Sequence, residues 1–258
     1  MSVKGKVVVI TGAGGGLGQA TAVRFANEGA KLVLVDLSDQ PMERTVSLVK
    51  EITQDVHTVE ANVTNSNDVQ NYVKEAVDTF GFIDVFYNNA GIEGSVTPTT
   101  QYDEDEFDKV MAVNTRGVFL GLKYVLQQMQ KQKSGSIINT ASVAGISTQE
   151  NLSAYTASKH SVVGLTRATA VENAKLNIRV NAICPGPIDT VMVRHAAEKF
   201  NPVNPEEFYD LVKGMVPANR LGKPEEVASL IAYLGGDESG FINGAMIAID
   251  GGMTTTYS

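Results

Sequence analysis

Between an apolar run and a helical stretch the chain reads Thr11-Gly12-Ala13-Gly14-Gly15-Gly16-Leu17-Gly18. The run ahead of it, Lys6 to Ile10, is β-branched and continuously apolar, as in a strand buried on both faces. The helix behind it starts near Leu17 and stops near Gly29, a residue suited to the C′ position. Four glycines in the five positions 12–16 belong to neither element. They allow a sharp turn and leave the backbone bare. A strand buried on both faces and followed at once by a helix commits the chain to a sheet with helices on both sides.

The rest of the sequence repeats that alternation. Lys31 to Asp36 reads as a second strand. Pro41 suits a first helical turn, with Val46, Leu48, Val49 and Ile52 giving an apolar side. His57 to Glu60 is a short third strand. Val69, Tyr72, Val73, Ala76, Val77 and Phe80 then recur at helical spacing until Gly81. Ile83 to Tyr87 is the fourth strand. A long helix over about 104–131, a strand Ser136 to Thr140, a helix over about 154–175, and strands Ile178 to Ile183 and Ala245 to Ile249 follow. The pattern predicts one Rossmann-type α/β domain over 1–258, a doubly wound seven-stranded parallel sheet with helices on both faces. Two long connections break the rhythm, Gly91 to Gln101 and Pro187 to Arg220. Both leave carboxyl ends of strands, where such sheets bind ligands, so 187–220 is expected to be a substrate loop.

Composition narrows the function. With 258 residues, 43% hydrophobic, the chain can bury a large core. A net charge of −8 and no run of Lys or Arg argue against nucleic acid and anionic membranes as partners. No apolar run nears the ~20 residues of a membrane span, and Val7 to Ile10 is too short for a secretory segment. The single cysteine, Cys184, cannot form an internal disulfide, which points to a reducing cytoplasm. His57, His160 and His195 share no ligand spacing, so no metal is expected.

The glycine turn lacks the Lys-Ser/Thr of a triphosphate cradle. Its glycines, Gly12, Gly15, Gly16 and Gly18, with Leu17, suit close approach to a pyrophosphate, with the helix N-terminus offering N–H groups and partial positive charge. Asp36 ends the second strand eighteen residues after Gly18, where an acid can accept both adenosine ribose hydroxyls. A 2′-phosphate beside Asp36 would be repelled by roughly 1–4 kcal/mol. Neither the turn nor Leu37 supplies an offsetting cation, so NAD(H) is favoured over NADP(H).

Tyr155 and Lys159 lie four apart, on one helical face. A second such pair, Tyr209 and Lys213, lies in the long loop and reads as a solvated or packing pair. Tyr155 differs because it begins the helix after the fifth strand and has Ser142 thirteen residues upstream. Cys184 reads as a small core residue, His160 as pointing away from the Tyr155 face, and His195 as a surface histidine. Val191, Met192, Phe200, Tyr209 and Met215 form an apolar lid or pack the loop down.

Thr11-Gly-x3-Gly-x-Gly18, Asn88-Asn-Ala-Gly91, Asn114, Ser142, Tyr155-x3-Lys159, Pro185-Gly186 and Asp250-Gly-Gly252 occur in this order over nearly the whole chain. Together they resemble the short-chain dehydrogenase/reductase family. The resemblance implies a nicotinamide cofactor lined by Asn89, Ala90, Gly91, Pro185, Gly186, Ile188 and Thr190. It also implies a catalytic tetrad of Asn114, Ser142, Tyr155 and Lys159, with Ser142 and Tyr155 on the substrate and Asn114 positioning a water. One departure is Asn62 before Val63, where many members carry Asp; Asn62 is expected to accept from and donate to the adenine edge. A homotetramer is implied too, pairing the helix after Glu104 with the Tyr155 helix at one interface and using 241–257 at another.

The chemistry asks for these residue types. Oxidising an alcohol needs a base near neutrality, whereas tyrosine has a pKa of about 10. Lowering it by about 3 units takes roughly 4 kcal/mol, expected from Lys159 and a positive nicotinamide ring. Gly91-Ile-Glu-Gly94, Arg116 to Gly121, Thr140 to Val143 and Pro187 to Thr190 look most like the subgroup of cyclic-alcohol dehydrogenases and diketone reductases. The expected reaction interconverts a secondary alcohol, cyclic ones included, and its ketone. Two other readings stay open: a non-catalytic NAD-binding regulator, and a lyase or epimerase that recycles its NAD.

Overall fold

The computed structural model describes residues 3–37, 42–200 and 203–255, without the side chains of residues 192, 195, 199 and 200. Pro41, Tyr257 and the side chains of Met192, His195 and Phe200 lie outside what it describes. Seven strands form one parallel sheet: β1 (Val7–Thr11), β2 (Lys31–Asp36), β3 (Val56–Glu60), β4 (Val85–Asn88), β5 (Gly135–Thr140), β6 (Ile178–Pro185) and β7 (Met246–Ile249). Their order is β3-β2-β1-β4-β5-β6-β7. Strand order reverses between β1 and β4, opening a crevice at the carboxyl edge. This is the single Rossmann-type domain expected from the alternation.

Period-two alternation of the side chains builds two cores. Val9, Val33, Val35, Phe86 and Ile137 face one layer, with α3 (Ser66–Phe80), α5 (Val118–Gln132) and α6 (Ser153–Asn173). Val8, Ile10, Leu32, Leu34, Tyr87 and Ile138 face the other, with α1 (Gly16–Asn27) and α9 (Pro224–Gly235). The segment Met42–Lys50 forms α2. Among the described residues no helix is long and apolar enough to cross a membrane.

Two elements differ from expectation. The helix over 104–131 is three pieces: α4 (Glu104–Met111), a π-helical turn (Ala112–Gly117) and α5. Gly117 packs so tightly on Val63 that an added Cβ would lie 3.0 Å from its side chain. A π turn leaves the apolar periodicity nearly intact, so the sequence carries little sign of it. The connection after β6 is not irregular either. It holds α7 (Val191–Phe200) and α8 (Glu206–Gly214). Phe208, Leu211, Val212 and Met215 do carry a helical period there, and Glu206 and Glu207 complement the α8 N-terminus.

Candidate active site

The glycine turn is built by close approach. Gly12 has φ +66°, and a Cβ there would meet the Asn89 amide nitrogen at 2.9 Å. A Cβ on Gly18 would lie 2.1 Å from the Gly12 carbonyl oxygen, so only glycine brings α1 against the turn. Gly15 caps α1 without a side chain, and no acid occupies the first helical turn. The N-terminal amides of Gly16, Leu17 and Gly18 therefore keep their affinity for an anion. Thr190 leans over this end, its methyl 2.9 Å from where a Cβ on Gly16 would be.

Asp36 is buried at the end of β2. Its carboxylate accepts from the Gly14 and Leu37 backbone N–H groups, 2.8 Å each. Two amides thus fix its orientation and stabilise its charge. Asn62 departs from expectation in detail. Its Oδ1 already accepts from both the amide and hydroxyl of Thr64 (3.0 and 2.9 Å), leaving the Nδ2 donor for an adenine ring nitrogen.

Asn89 joins strands β1, β4 and β5. Its amide nitrogen donates to the carbonyls of Thr11 (3.0 Å) and Gly12 (3.3 Å), and its Oδ1 accepts from the Thr140 hydroxyl (3.2 Å). The Asn89 and Ala90 backbone N–H groups both donate to the Thr11 hydroxyl (2.9 and 3.2 Å). On the far side of the crevice, Gly186 N–H donates to the Ile249 carbonyl (3.1 Å), and Ile188 bridges to Gly222. Pro185, Gly186, Ile188 and Thr190 so form the wall opposite Asn89, Ala90 and Gly91.

The four residues of the implied tetrad come together at this edge. Ser142 is buried just past β5, its hydroxyl accepting from Ala144 N–H (3.2 Å) and lying beside the Tyr155 phenol. Lys159 lies beneath the Tyr155 ring, 5.5 Å from its centroid, and donates to the Thr140 carbonyl at 2.9 Å. Burial pulls the Lys159 ammonium down to about 8. Burial pushes the Tyr155 phenol up to about 12; the Ser142 hydroxyl opposes this, while the Glu93 charge adds to it. The ammonium is turned to the Thr140 carbonyl, and desolvation outweighs what it gives the ring.

Asn114 is tied into the backbone beside this edge. It sits fully buried in the π turn, its Oδ1 accepting from Ile92 N–H (2.8 Å) and its Nδ2 donating to the Ile92 carbonyl (2.7 Å) and the Ser158 hydroxyl (3.0 Å). The side chain clamps the start of the 91–101 connection. Further along, Ser95 N–H donates to the Tyr102 hydroxyl (3.1 Å) and Ser95 Oγ to Glu106 (2.5 Å), so Glu93 is held between two pinned residues. The sequence reading passed over Thr11, Thr140, Ser158 and Glu93. Thr11 and Thr140 end strands that border the crevice, which was the signal available.

The lesser candidates fall elsewhere. Tyr209 and Lys213 lie on α8, Lys213 pairing with exposed Asp210 (3.2 Å). His160 is exposed, its Nδ1 3.0 Å from the Thr156 carbonyl. Cys184 is fully buried under Ser142 and Lys159, its thiol raised to about 11 by burial.

Comparison with known proteins agrees with this geometry. Residues 12–254 match the family described as "Enoyl-(Acyl carrier protein) reductase". Levodione reductase of Leifsonia aquatica is 46% identical over 254 residues, 98% of this chain and 95% of that protein. Cyclohexanol dehydrogenase of an Acinetobacter species (strain SE19) is 35% identical, covering 97% of this chain and 95% of that one. A crystal structure of levodione reductase superposes with a TM-score of 0.96, covering 98% of this chain and 99% of that one. NAD+-bound xylitol dehydrogenase gives 0.91 at 36% identity, covering 98% and all of the respective chains. The chain belongs to the short-chain dehydrogenase/reductase family of oxidoreductases.

Proposed function

We propose that the protein is an NAD(H)-dependent dehydrogenase/reductase for an uncharged secondary alcohol and its ketone, cyclic ones foremost. The observation that carries this is the meeting of Ser142, Tyr155 and Lys159 at the crevice whose opposite end holds Asp36. The cradle fits a dinucleotide: bare α1 amides for a pyrophosphate, the Asp36 carboxylate for ribose hydroxyls, and Asn89, Gly91, Ile188 and Thr190 around the nicotinamide end. A nicotinamide cofactor, when bound, exchanges the hydride and in its oxidised form brings a fixed positive charge.

The chain's own residues handle the oxygen and its proton. Ser142 holds the alcohol oxygen while the Tyr155 Oη takes its proton on oxidation and returns it on reduction. Lys159, half neutral near pH 8, can pass a proton between Tyr155 and the Thr140 side of the crevice. Asn114 fixes Ile92, and through it the wall facing the substrate. Because Glu93 acts on the Tyr155 phenol, its negative field reaches the reacting oxygen and disfavours anionic substrates such as acyl phosphates and carboxylates. The similarity to levodione reductase and cyclohexanol dehydrogenase supports the ring-shaped, uncharged substrate.

In this reading residues 187–222 form the substrate loop, and the protein works in the cytoplasm as a homotetramer. Exposed Phe107 and Phe119 on α4 and α5, Val171 on α6, and Phe241 before β7 are apolar surface suited to such contacts. An NADH-linked screen over cyclic diketones, cyclohexanols, acyclic secondary alcohols and sugars tests the substrate. Turnover confined to acyl thioesters, or NADPH used in preference to NADH, would defeat the proposal. Mass measurement showing a monomer near 27.5 kDa would remove the tetramer.

A further inference from the structure

Tyr87 is a fully buried tyrosine in the middle of β4, packed in the apolar layer with Ile10 and Ile138. Phenylalanine would fill the same space. Its hydroxyl meets no partner in hydrogen-bond geometry, but it lies beside the Thr140 side chain, and burial keeps the phenol protonated, a donor in want of an acceptor. A buried hydroxyl left so loosely satisfied is a liability to the fold.

Strand alternation explains what it faces. Tyr87 and Asn89 lie on one side of β4, and Thr140 lies on the same side of β5, two residues past Ile138, the partner of Tyr87. Asn88 and Asn139 lie on the opposite side and bond to each other at 3.1 Å. The Thr140 hydroxyl donates to Asn89 Oδ1, so its remaining lone pairs face other donors, and Tyr87 offers one. Asn89 in turn holds the Thr11 and Gly12 carbonyls of the glycine turn. The Thr140 carbonyl holds Lys159. One residue, Thr140, thus links the lysine and the turn, and Tyr87 stands behind it.

We propose that Tyr87 is a positioning residue. Its hydroxyl donates to Thr140 Oγ1, which points the threonine proton at Asn89 Oδ1, fixes the Asn89 amide toward Gly12, and steadies the carbonyl that orients Lys159. This inference rests on the nicotinamide and tetrad reading above. The test uses the full-length chain with Tyr87→Phe, Thr140→Val and the double variant, and Tyr72→Phe as a control at a buried tyrosine in the other core layer.

Melting of the chain without cofactor, NADH affinity by fluorescence, and kcat with the best alcohol from the screen are measured together with the pH–rate profile. Tyr87→Phe should melt no lower than wild type, bind NADH about 3- to 10-fold more weakly, lower kcat about 5- to 20-fold and shift the pH–rate limb. Thr140→Val should do the same, and the double variant should be no worse than Thr140→Val alone. Tyr72→Phe should alter at most the melting temperature. Wild-type NADH affinity and pH profile in Tyr87→Phe would overturn the inference, as would losses that multiply in the double variant. If Tyr155→Phe stays active, the tetrad reading fails instead; if Tyr155→Phe is dead while Tyr87→Phe is normal, only this inference falls.

Discussion

The two walls of the crevice are held in different ways. The wall made by the ends of β1, β4 and β5 with α6 is cross-tied: Thr11, Asn89, Asn114, Thr140, Ser158 and Lys159 spend their polar groups on one another or on nearby backbone. The wall made by 187–222 is a hairpin of helices, α7 packed chiefly on α8, leaving the sheet through a narrow neck. Its ion pair Arg194–Asp189 is exposed, and Val191, Val203, Leu211 and Met215 face solvent. Proton transfer demands fixed geometry, and the first wall supplies it. The second wall is sparsely packed on the rest of the fold and exposes apolar side chains, as suits a region proposed to admit ligands. Damage to the first wall should therefore lower kcat or rewrite cofactor choice; damage to the second should mainly alter substrate KM.

The sharpest break of that contrast is Tyr155→Phe. It leaves the ring in place and removes the proton route, so kcat should fall by roughly 10²- to 10⁴-fold while NADH binding persists. Tyr209→Phe on the second wall should stay within a few-fold of wild type in kcat. Near-normal turnover in Tyr155→Phe would dissolve the distinction between the walls. Next in size is cofactor choice. Asp36→Ala removes charge-assisted bonds of about 1.5–3 kcal/mol each and lifts the repulsion of a 2′-phosphate. Adding Leu37→Arg supplies a guanidinium that can bind that phosphate. The ratio of kcat/KM for NAD to that for NADP should drop by roughly 10²-fold or more in the double variant. A wild type that already prefers NADP would contradict the reading of Asp36.

Much of the first wall was legible in the sequence because local rules and the site coincide there. Continuous apolar runs fix the parallel strands, glycines mark the turn, and helical spacing puts Tyr155 above Lys159. Less legible was anything set by contacts between distant segments. The π turn at Asn114 depends on Gly117 meeting Val63, and a one-residue change of helical pitch leaves almost no trace in periodicity. The clamp of Asn114 on Ile92 is another contact of this kind. That burial and the Glu93 charge raise the Tyr155 phenol in the chain alone is likewise set through space, not by spacing. On the second wall the long connection was read as a loop, while the stripe Phe208, Leu211, Val212 and Met215 already signalled a helix.

Rigidity in the first wall has a cost that pH exposes. Lys159 is buried and its pKa is lowered to about 8 from 10.5, so the folded state disfavours its charged form. Below pH 8 it is charged in both folded and unfolded chains, and folding carries the full desolvation cost. Between 8 and 10.5 the folded chain holds fewer protons than the unfolded one, so this contribution to stability improves as pH rises. The ceiling is about 3 kcal/mol at about 1.4 per unit, reduced by roughly 1 kcal/mol for the Thr140 bond lost on substitution. Lys159→Met should therefore abolish most activity yet raise Tm by about 3–6 °C at pH 7, with the gain fading toward pH 10.5. A lower Tm across that range would mean that Lys159 stabilises the wall it serves.

The smallest effect tests the neck of the second wall. Asp189 N–H donates to the Gly222 carbonyl and Gly222 N–H to the Pro187 carbonyl, both at 2.9 Å. A Cβ on Gly222 would lie 2.5 Å from the tip of the Ile188 side chain. That tip is the end of a rotatable chain, so Gly222→Ala should turn Ile188 aside and leave the fold intact, at a strain of about 1 kcal/mol. Ile188 sits at the root of α7, so the displacement reaches the proposed substrate loop before it reaches the Thr140–Lys159 bond. Substrate KM should rise about 3- to 10-fold, with kcat within about 2-fold and NADH affinity changed less than KM. If kcat falls while KM holds, the neck governs the fixed wall as well, and the two walls act as one unit.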